Sequence, residues 1–446
     1  MSARNRELFA LVPAALLVTA GFTALFIQRS QELSDVSLTY GAAFLGLCVA
    51  AHLVIRFTLP DADPYLFPLV AVLACFGLVI IYRLDEDLAR EQAQWFVVGL
   101  ILFAATIILL RRDFRVLERY RYTIAAASLV LLLLPRLPGI GAQVNGAYLG
   151  VDLGPISFQP AEFAKIGIVI FLAAYLRENR DVLIVASRRF LGMTFPPLKQ
   201  FGPLLVIWGL AMVMLVFIRD LGSSLMFFGA FLAVVYVATN RFGLVLAGLL
   251  LFALGAWFFA TTVPHVQDRV DIWLDPFARG RVENEGYQIA QGLFAQADGG
   301  VFGTGFGQAL LSIPCDARPE SGCSILPAPH TDLIYAVIVD ELGLAGACGL
   351  ILVYLLLVVR GFMVALVAGD WFSKLLASGL TAVFALQVFV IVGGVTKVIP
   401  LTGVTLPFVS YGGSSILANF VLIALLLLVS DRARRPQGSQ ARRGLR

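Results

Sequence analysis

The sequence predicts an all-α polytopic membrane protein, and three observations predict it. Of the 446 residues, 59% are hydrophobic and only 14% charged, where a soluble chain carries about a quarter charged residues. Apolar runs of about 20 residues, long enough to cross a hydrocarbon core of ~30 Å, recur from end to end. The basic residues fall in alternate connections, which is how orientation is set in a bilayer.

Twelve spans follow in order: 8–27, 39–58, 65–83, 93–111, 121–135, 158–177, 203–218, 222–240, 242–262, 333–359, 376–396 and 411–430. With both termini cytoplasmic, about two thirds of the 33 basic residues lie inside, including the clusters at 111–121 and in the 431–446 tail. The net charge of +4 is therefore a topology signal, and no nucleic-acid partner is expected. The first apolar run is too long for a signal h-region and has no small-residue cleavage site after it, so it reads as a retained helix. Cys48, Cys75 and Cys348 fall in spans as small apolar side chains. Cys315 and Cys323 share an outer loop, where a disulfide fits an oxidising face. Without histidine nearby, that pair makes a poor zinc site.

Three outer segments break the pattern of short connections. The first, 136–157, is rich in glycine and nearly uncharged. The second, 397–410, holds two prolines, a glycine and several β-branched residues, and reads as a re-entrant or broken segment lining a cavity. The third, Pro264 to Asp332, is the longest, and loops of that size in compact proteins carry function. Within it GGVFGTGFG (299–307) has no preceding strand and no following Gly-Lys-Ser/Thr, so it is no P-loop. It reads as a tight turn between short interfacial helices, with Phe302 and Phe306 towards lipid. All three segments face one side, which places a site on the outer surface. No internal repeat is visible, which argues against a secondary transporter.

Ionisable groups at membrane depth are costly and point to function. QPAEFAK places Gln159, Glu162 and Lys165 on one helix face, with Glu162 and Lys165 close enough to pair. They read either as a helix-locking ion pair or as a charged wall that meets an anionic head group. Lys397 is a weaker candidate of the same kind. Arg219 and Asp220 form a helix-end pair. Asp332, beside His330 and Thr331 at the start of an apolar run, is either a helix cap or a general base. Asp340 and Glu341 lie two turns further in and cannot both share its face.

Taken together, NGA (145–147), QPAEFAK (159–165), DLGSSL (220–225), GYQIAQG (286–292), GGVFGTGFG (299–307), HTDLIYAVIVDELGLAG (330–346) and KVIPLTGVTLPFVSYGGSS (397–415) resemble the SEDS family, the RodA and FtsW proteins of bacterial cell-wall synthesis. The resemblance implies the SEDS fold: a transmembrane core at 65–430, with the long extracytoplasmic loop at 264–332. Residues 1–64 form a two-helix N-terminal extension and 431–446 a basic cytoplasmic tail. It implies a peptidoglycan glycosyltransferase that polymerises lipid II at the outer face of the bacterial cytoplasmic membrane and releases undecaprenyl diphosphate. Asp332 matches the family's essential acid. Gln159, Glu162, Lys165, His330, Thr331, Lys397, Ser410 and Tyr411 match its substrate side, and a divalent cation, Mn²⁺ or Mg²⁺, is compatible with it. A class B penicillin-binding protein is the implied partner. Lipid II flippase and non-catalytic scaffold are the alternatives. The sequence departs from the family pattern at Tyr148 and Leu149, at Leu333, at Asp340-Glu341, and in an insert at 310–325.

Overall fold

The computed structural model describes residues 3–30, 35–144, 147–152, 154, 157–185, 188–190, 193–195, 209, 220–311 and 325–435. The predicted span at 203–218, the Cys315–Cys323 pair, Asn145, Arg219 and the tail beyond Arg435 lie outside these residues.

Helices dominate, as the long apolar runs require. They are α1 (Ala3–Ala10), α2 (Val12–Ser30), α3 (Asp35–Thr58), α4 (Leu66–Leu84), α5 (Glu86–Leu110), α6 (Val116–Arg119), α7 (Arg121–Leu133) and α8 (Pro160–Val185). After them come α9 (Leu221–Thr239), α10 (Phe242–Thr262), α11 (Pro264–Leu274), α12 (Tyr287–Gly299), α13 (Ile334–Val367), α14 (Trp371–Val395) and α15 (Gly413–Arg434). Nine segments among the described residues are long and apolar enough to cross a bilayer. The helices most enclosed by protein are α4, α14 and α15. In contrast, α10 buries little of its surface and is left for lipid or a partner.

The glycine-rich 136–157 connection is more ordered than a loop. It forms a small antiparallel sheet of β1 (Gly141–Val144), β2 (Ala147–Asp152) and β3 (Ser157–Phe158), in that order, with Val151 opposite both Gly141 and Phe158. A short hairpin of β4 (Arg188–Phe190) and β5 (Met193–Phe195) follows α8.

The predicted 333–359 helix is longer than expected, and it is broken. Gly343 in α13 has φ 65° and ψ −171°, far from helical. The glycine-rich turn 299–307 docks against this break. Thr304 N–H donates to the Asp340 carbonyl (2.8 Å) and Gly305 N–H to that of Glu341 (3.1 Å). In return, Leu344 and Ala345 donate to the carbonyls of Gly300 (2.9 Å) and Val301 (3.0 Å). The interrupted helix thus has its freed backbone groups satisfied by the turn. The packing is backbone on backbone: a Cβ on Gly303 would lie 2.1 Å from the Glu341 oxygen. The turn is therefore wedged into the helical body rather than lying in the interface. Phe302 is 84% exposed, as expected for a lipid-facing ring, while Phe306 packs on the core.

The segment after α14 is non-helical, as its prolines predict. Leu406, Phe408 and Val409 are nonetheless buried. Irregular backbone at that depth needs partners, and side chains supply them. Tyr354 donates to the Pro407 carbonyl (2.6 Å), Gln387 to Thr405 (3.0 Å) and Gln92 to Ser410 (3.1 Å). Gly77 of α4 lets the segment approach, since a Cβ there would meet the Phe408 oxygen at 2.6 Å.

Candidate functional site

Three irregular segments converge on one cavity of about 840 Å³, as the sequence leads one to expect. Its walls come from the N-terminal half of α5 (Glu91, Trp95), from α11 and α12 (Arg269, Gln288), and from the loop before α13 (Thr331, Asp332). The broken segment adds Thr402, Gly403 and Thr405, and the start of α15 adds Gly413 and Ser414.

Asp332 lies on the cavity wall, just before α13. It does not cap that helix: the residue in the cap position is Leu333, and no side chain caps the helix there. The carboxylate is instead hydrogen-bonded by Gln288 and faces the charge of Arg269. Burial pushes its pKa up, and Gln288 and Arg269 pull it back towards the ordinary range. Gly403, with φ 68°, passes beside it; a Cβ there would sit 3.5 Å from Oδ2. This arrangement can hold a proton acceptor in a fixed place next to a cation.

Backbone hydrogen bonds fix the loop that carries Asp332. Ser410 Oγ donates to the Thr331 carbonyl (2.8 Å) and accepts from Leu406 N–H (2.9 Å). Tyr411 N–H donates to the His330 carbonyl (2.8 Å). Ser410 is thus a fastener, buried behind the cavity. Tyr411 lines the cavity and its hydroxyl donates to Glu91. Burial, followed by that hydrogen bond to a carboxylate, raises the Tyr411 pKa. The His330 ring stacks edge-on against Tyr411, with centroids 5.9 Å apart. Burial lowers the His330 pKa, with Asp85 opposing, which keeps the imidazole neutral at pH 7. Gln159 and Ser414 both line the cavity, joined by Gln159 N–H donating to Ser414 Oγ (2.9 Å).

Three predicted contacts, Glu162, Lys165 and Lys397, are placed elsewhere. Lys165 is 1% exposed, with Nζ donating to Glu162 (2.6 Å) and Gln387 (2.6 Å), and neither it nor Glu162 lines the cavity. The Glu162–Lys165 ion pair is formed. Through Gln387 the pair supports Thr405, which does face the cavity. Lys397 is turned away, donating to the Leu274 carbonyl (3.3 Å). Asp340 accepts from Thr304 (3.0 Å) and Glu341 pairs with Arg83 (2.6 Å), so both stabilise the docked turn. Asp220 caps α9 through Ser223 N–H (3.0 Å). Burial raises its pKa, with Ser223 and Arg269 opposing.

Arg269 is a cavity residue that no sequence motif reveals. Arg269 donates to the Leu401 carbonyl (3.2 Å), so α11 is held on the broken segment. Burial lowers its pKa, and Asp220 and Asp332 oppose that. Thr402 Oγ1 and Thr405 Oγ1 are buried without a hydrogen-bond partner among the described residues. Both residues line the cavity. Among the described residues no three His, Cys, Asp or Glu side chains gather as a protein-built metal cage.

The geometry has counterparts in known proteins. A family model for the FtsW, RodA and SpoVE proteins, described as "Cell cycle protein", matches residues 64–435. The peptidoglycan glycosyltransferase RodA of Mycobacterium tuberculosis is 42% identical over 98% of this chain and 93% of its own length. A probable peptidoglycan glycosyltransferase FtsW of Geobacter metallireducens is 30% identical over 83% of this chain and 95% of its own. Among solved structures, a chain from a study of polymerization and crosslinking by a peptidoglycan synthase complex superposes with a TM-score of 0.66. It shares 28% identity and covers 84% of this chain and 99% of that one. The crystal structure of the Thermus thermophilus rod shape determining protein RodA gives 0.59, at 27% identity and 84% and 98% coverage. The chain is a polytopic α-helical membrane protein that belongs to the FtsW/RodA/SpoVE family, the SEDS proteins.

Proposed function

We propose that this chain is a peptidoglycan glycosyltransferase that polymerises lipid II, with Asp332 as its general base. The observation that carries this reading is the position of Asp332: a carboxylate free of capping duty, facing a polar cavity beside Arg269. Asp332 takes the proton from the 4-hydroxyl of the acceptor's N-acetylglucosamine. That oxygen attacks C1 of the N-acetylmuramic acid on the donor chain and inverts it. The C1–O bond to undecaprenyl diphosphate breaks, and the diphosphate leaves with the electron pair. Arg269 holds the Asp332 carboxylate charged and offers positive potential where negative charge develops.

A divalent cation of the Mg²⁺ type is held by one or two carboxylates plus substrate phosphates. The cavity fits that mode rather than an all-protein cage, and Asp332 is the residue that would hold the ion. When bound, the ion supplies neutralisation of the departing diphosphate.

In this reading the cavity faces outward in the bacterial cytoplasmic membrane, with both termini cytoplasmic. The partner is a class B penicillin-binding protein, a reading supported by the synthase complex to which the fold is similar. The near-full-length similarity to RodA, against the shorter match to FtsW, favours a role in elongation. Fluorescent lipid II in proteoliposomes tests the function by separating joining from movement across the bilayer. Polymer supports the reading; movement without polymer establishes a flippase and overturns it.

A further inference from the structure

A second groove, of about 1060 Å³, lies at the far end of the molecule. It is lined by Phe57 to Asp61 after α3, Arg111 to Arg115 after α5, and Leu428 to Arg435 at the end of α15. Glu91 and Trp95 of α5 and Gly413 and Ser414 of α15 line the Asp332 cavity. From Glu91 to Arg111 and from Gly413 to Arg432 the helices run about 20 residues, which at ~1.5 Å per residue puts the groove about 30 Å away, at the opposite membrane face.

The lining holds five arginines and three aspartates. The carboxylates of Asp113 and Asp431 are engaged, and Asp61 contributes its backbone, so the five arginines still outnumber the three aspartates. Arg432 pairs with Asp113 (3.6 Å), Arg435 pairs with Asp431, and Asp431 also accepts from Asp61 N–H (2.9 Å). Arg115 reaches Asp370 (3.2 Å), outside the lining. That leaves Arg111 and Arg112, neighbours at the end of α5, which have no ion-pair partner among the described residues. Beside this excess of positive charge lies an apolar edge. Phe57 is 78% exposed, and Leu59 and Leu428 continue the edge into the bundle.

Unpaired guanidiniums next to an open apolar ring at the end of membrane helices match one chemistry: a phosphate carried on acyl chains. We propose that this groove binds the headgroup of an anionic phospholipid in the leaflet opposite the Asp332 cavity, with Arg111 and Arg112 on the phosphate and Phe57 along the acyl chain. A lipid seated there touches α3 on one side and α5 and α15 on the other. It therefore cements the N-terminal helices to the rest of the bundle.

The test is native mass spectrometry of the full chain in micelles, titrated with phosphatidylglycerol or phosphatidylcholine. The binding readout is independent of glycan synthesis. Wild type is expected to retain phosphatidylglycerol selectively, and Arg111→Gln/Arg112→Gln to hold it roughly thirty-fold more weakly, ~5-fold for each charge lost. Arg111→Lys/Arg112→Lys keeps the charge but loses the planar fork, and is expected to fall between them. This second variant keeps the test open should the glutamine pair not remain monodisperse. Equal retention of both lipids by wild type would overturn the proposal, as would unchanged affinity in both variants. Displacement of the lipid by millimolar inorganic phosphate would assign the groove to a soluble phosphate and overturn it as well.

Discussion

Ser410 donates its hydroxyl to the carbonyl of Thr331 at 2.8 Å, across 79 residues of sequence. The bond joins the broken segment to the residue that precedes Asp332. Asp332, the proposed general base, is therefore positioned by the segment that also lines its cavity.

Ser410→Ala removes that donor and the acceptor used by Leu406 N–H. Stability should fall by about 1–3 kcal/mol, since a buried amide and a carbonyl lose their partner. Displacement of Asp332 by a fraction of an ångström to 1 Å should lower kcat about 10- to 100-fold, with KM changed little. Denaturation in micelles and polymerisation kinetics measure the two effects separately.

The electrostatics of Asp332 predict a pH dependence. Burial raises its pKa above the ordinary carboxylate value of ~3.9. A base works only when deprotonated, so activity should rise with pH through that raised value. Arg269 pulls the value down, so Arg269→Gln should shift the acid limb to higher pH as well as slow the reaction. For stability the sign is opposite. The folded state favours the neutral carboxyl, so this group's contribution is full below ~3.9 and is lost as pH rises through the raised value. Asp332→Asn, neutral throughout, should match or exceed wild type in thermal stability at pH 7 while losing activity.

Glu162 and Lys165 form a buried pair at 2.6 Å. Lys165→Met alone strands the Glu162 charge and should cost about 3–5 kcal/mol. Glu162→Gln/Lys165→Met should recover most of that loss. If Lys165 instead met substrate, the double variant would raise KM with stability unchanged.

Glycines along α13 offer an internal contrast. Gly343 has φ 65°, and a Cβ there would lie 2.4 Å from Gly303 N and from the Val301 oxygen. Gly343→Ala should therefore cost at least about 2 kcal/mol. Gly349, six residues on, has nothing within 4 Å, so Gly349→Ala should stabilise by up to ~1 kcal/mol through helix propensity. Thermal unfolding of the two variants in the same micelle reads both signs.

Much of this fold is legible from periodicity and punctuation. The apolar runs locate α4, α5, α9, α10, α14 and α15, because length and hydropathy decide a membrane helix. Pro400, Gly403 and Pro407 announce the broken segment, because proline cannot continue a helix. The break at Gly343 is hidden in an apolar run, since a lone glycine is common in membrane helices. Its only signal is a second glycine cluster, 299–307, which needs a backbone to pack against. Arg269 is invisible as a site residue because tertiary packing alone brings it beside Asp332. Lys165 is legible as a buried ion, but its saturation by Gln387 depends on a residue 222 positions away.

The most direct measurement compares wild type, Asp332→Asn and Asp332→Ala in glycan polymerisation from purified lipid II. Both variants are first shown to be monodisperse, and the assay includes the proposed penicillin-binding protein partner and Mg²⁺ or Mn²⁺. The account predicts polymer from wild type and a loss of at least ~100-fold in both variants. Polymer made at the wild-type rate by either folded variant would contradict it, because the proton would then be leaving the acceptor hydroxyl without Asp332.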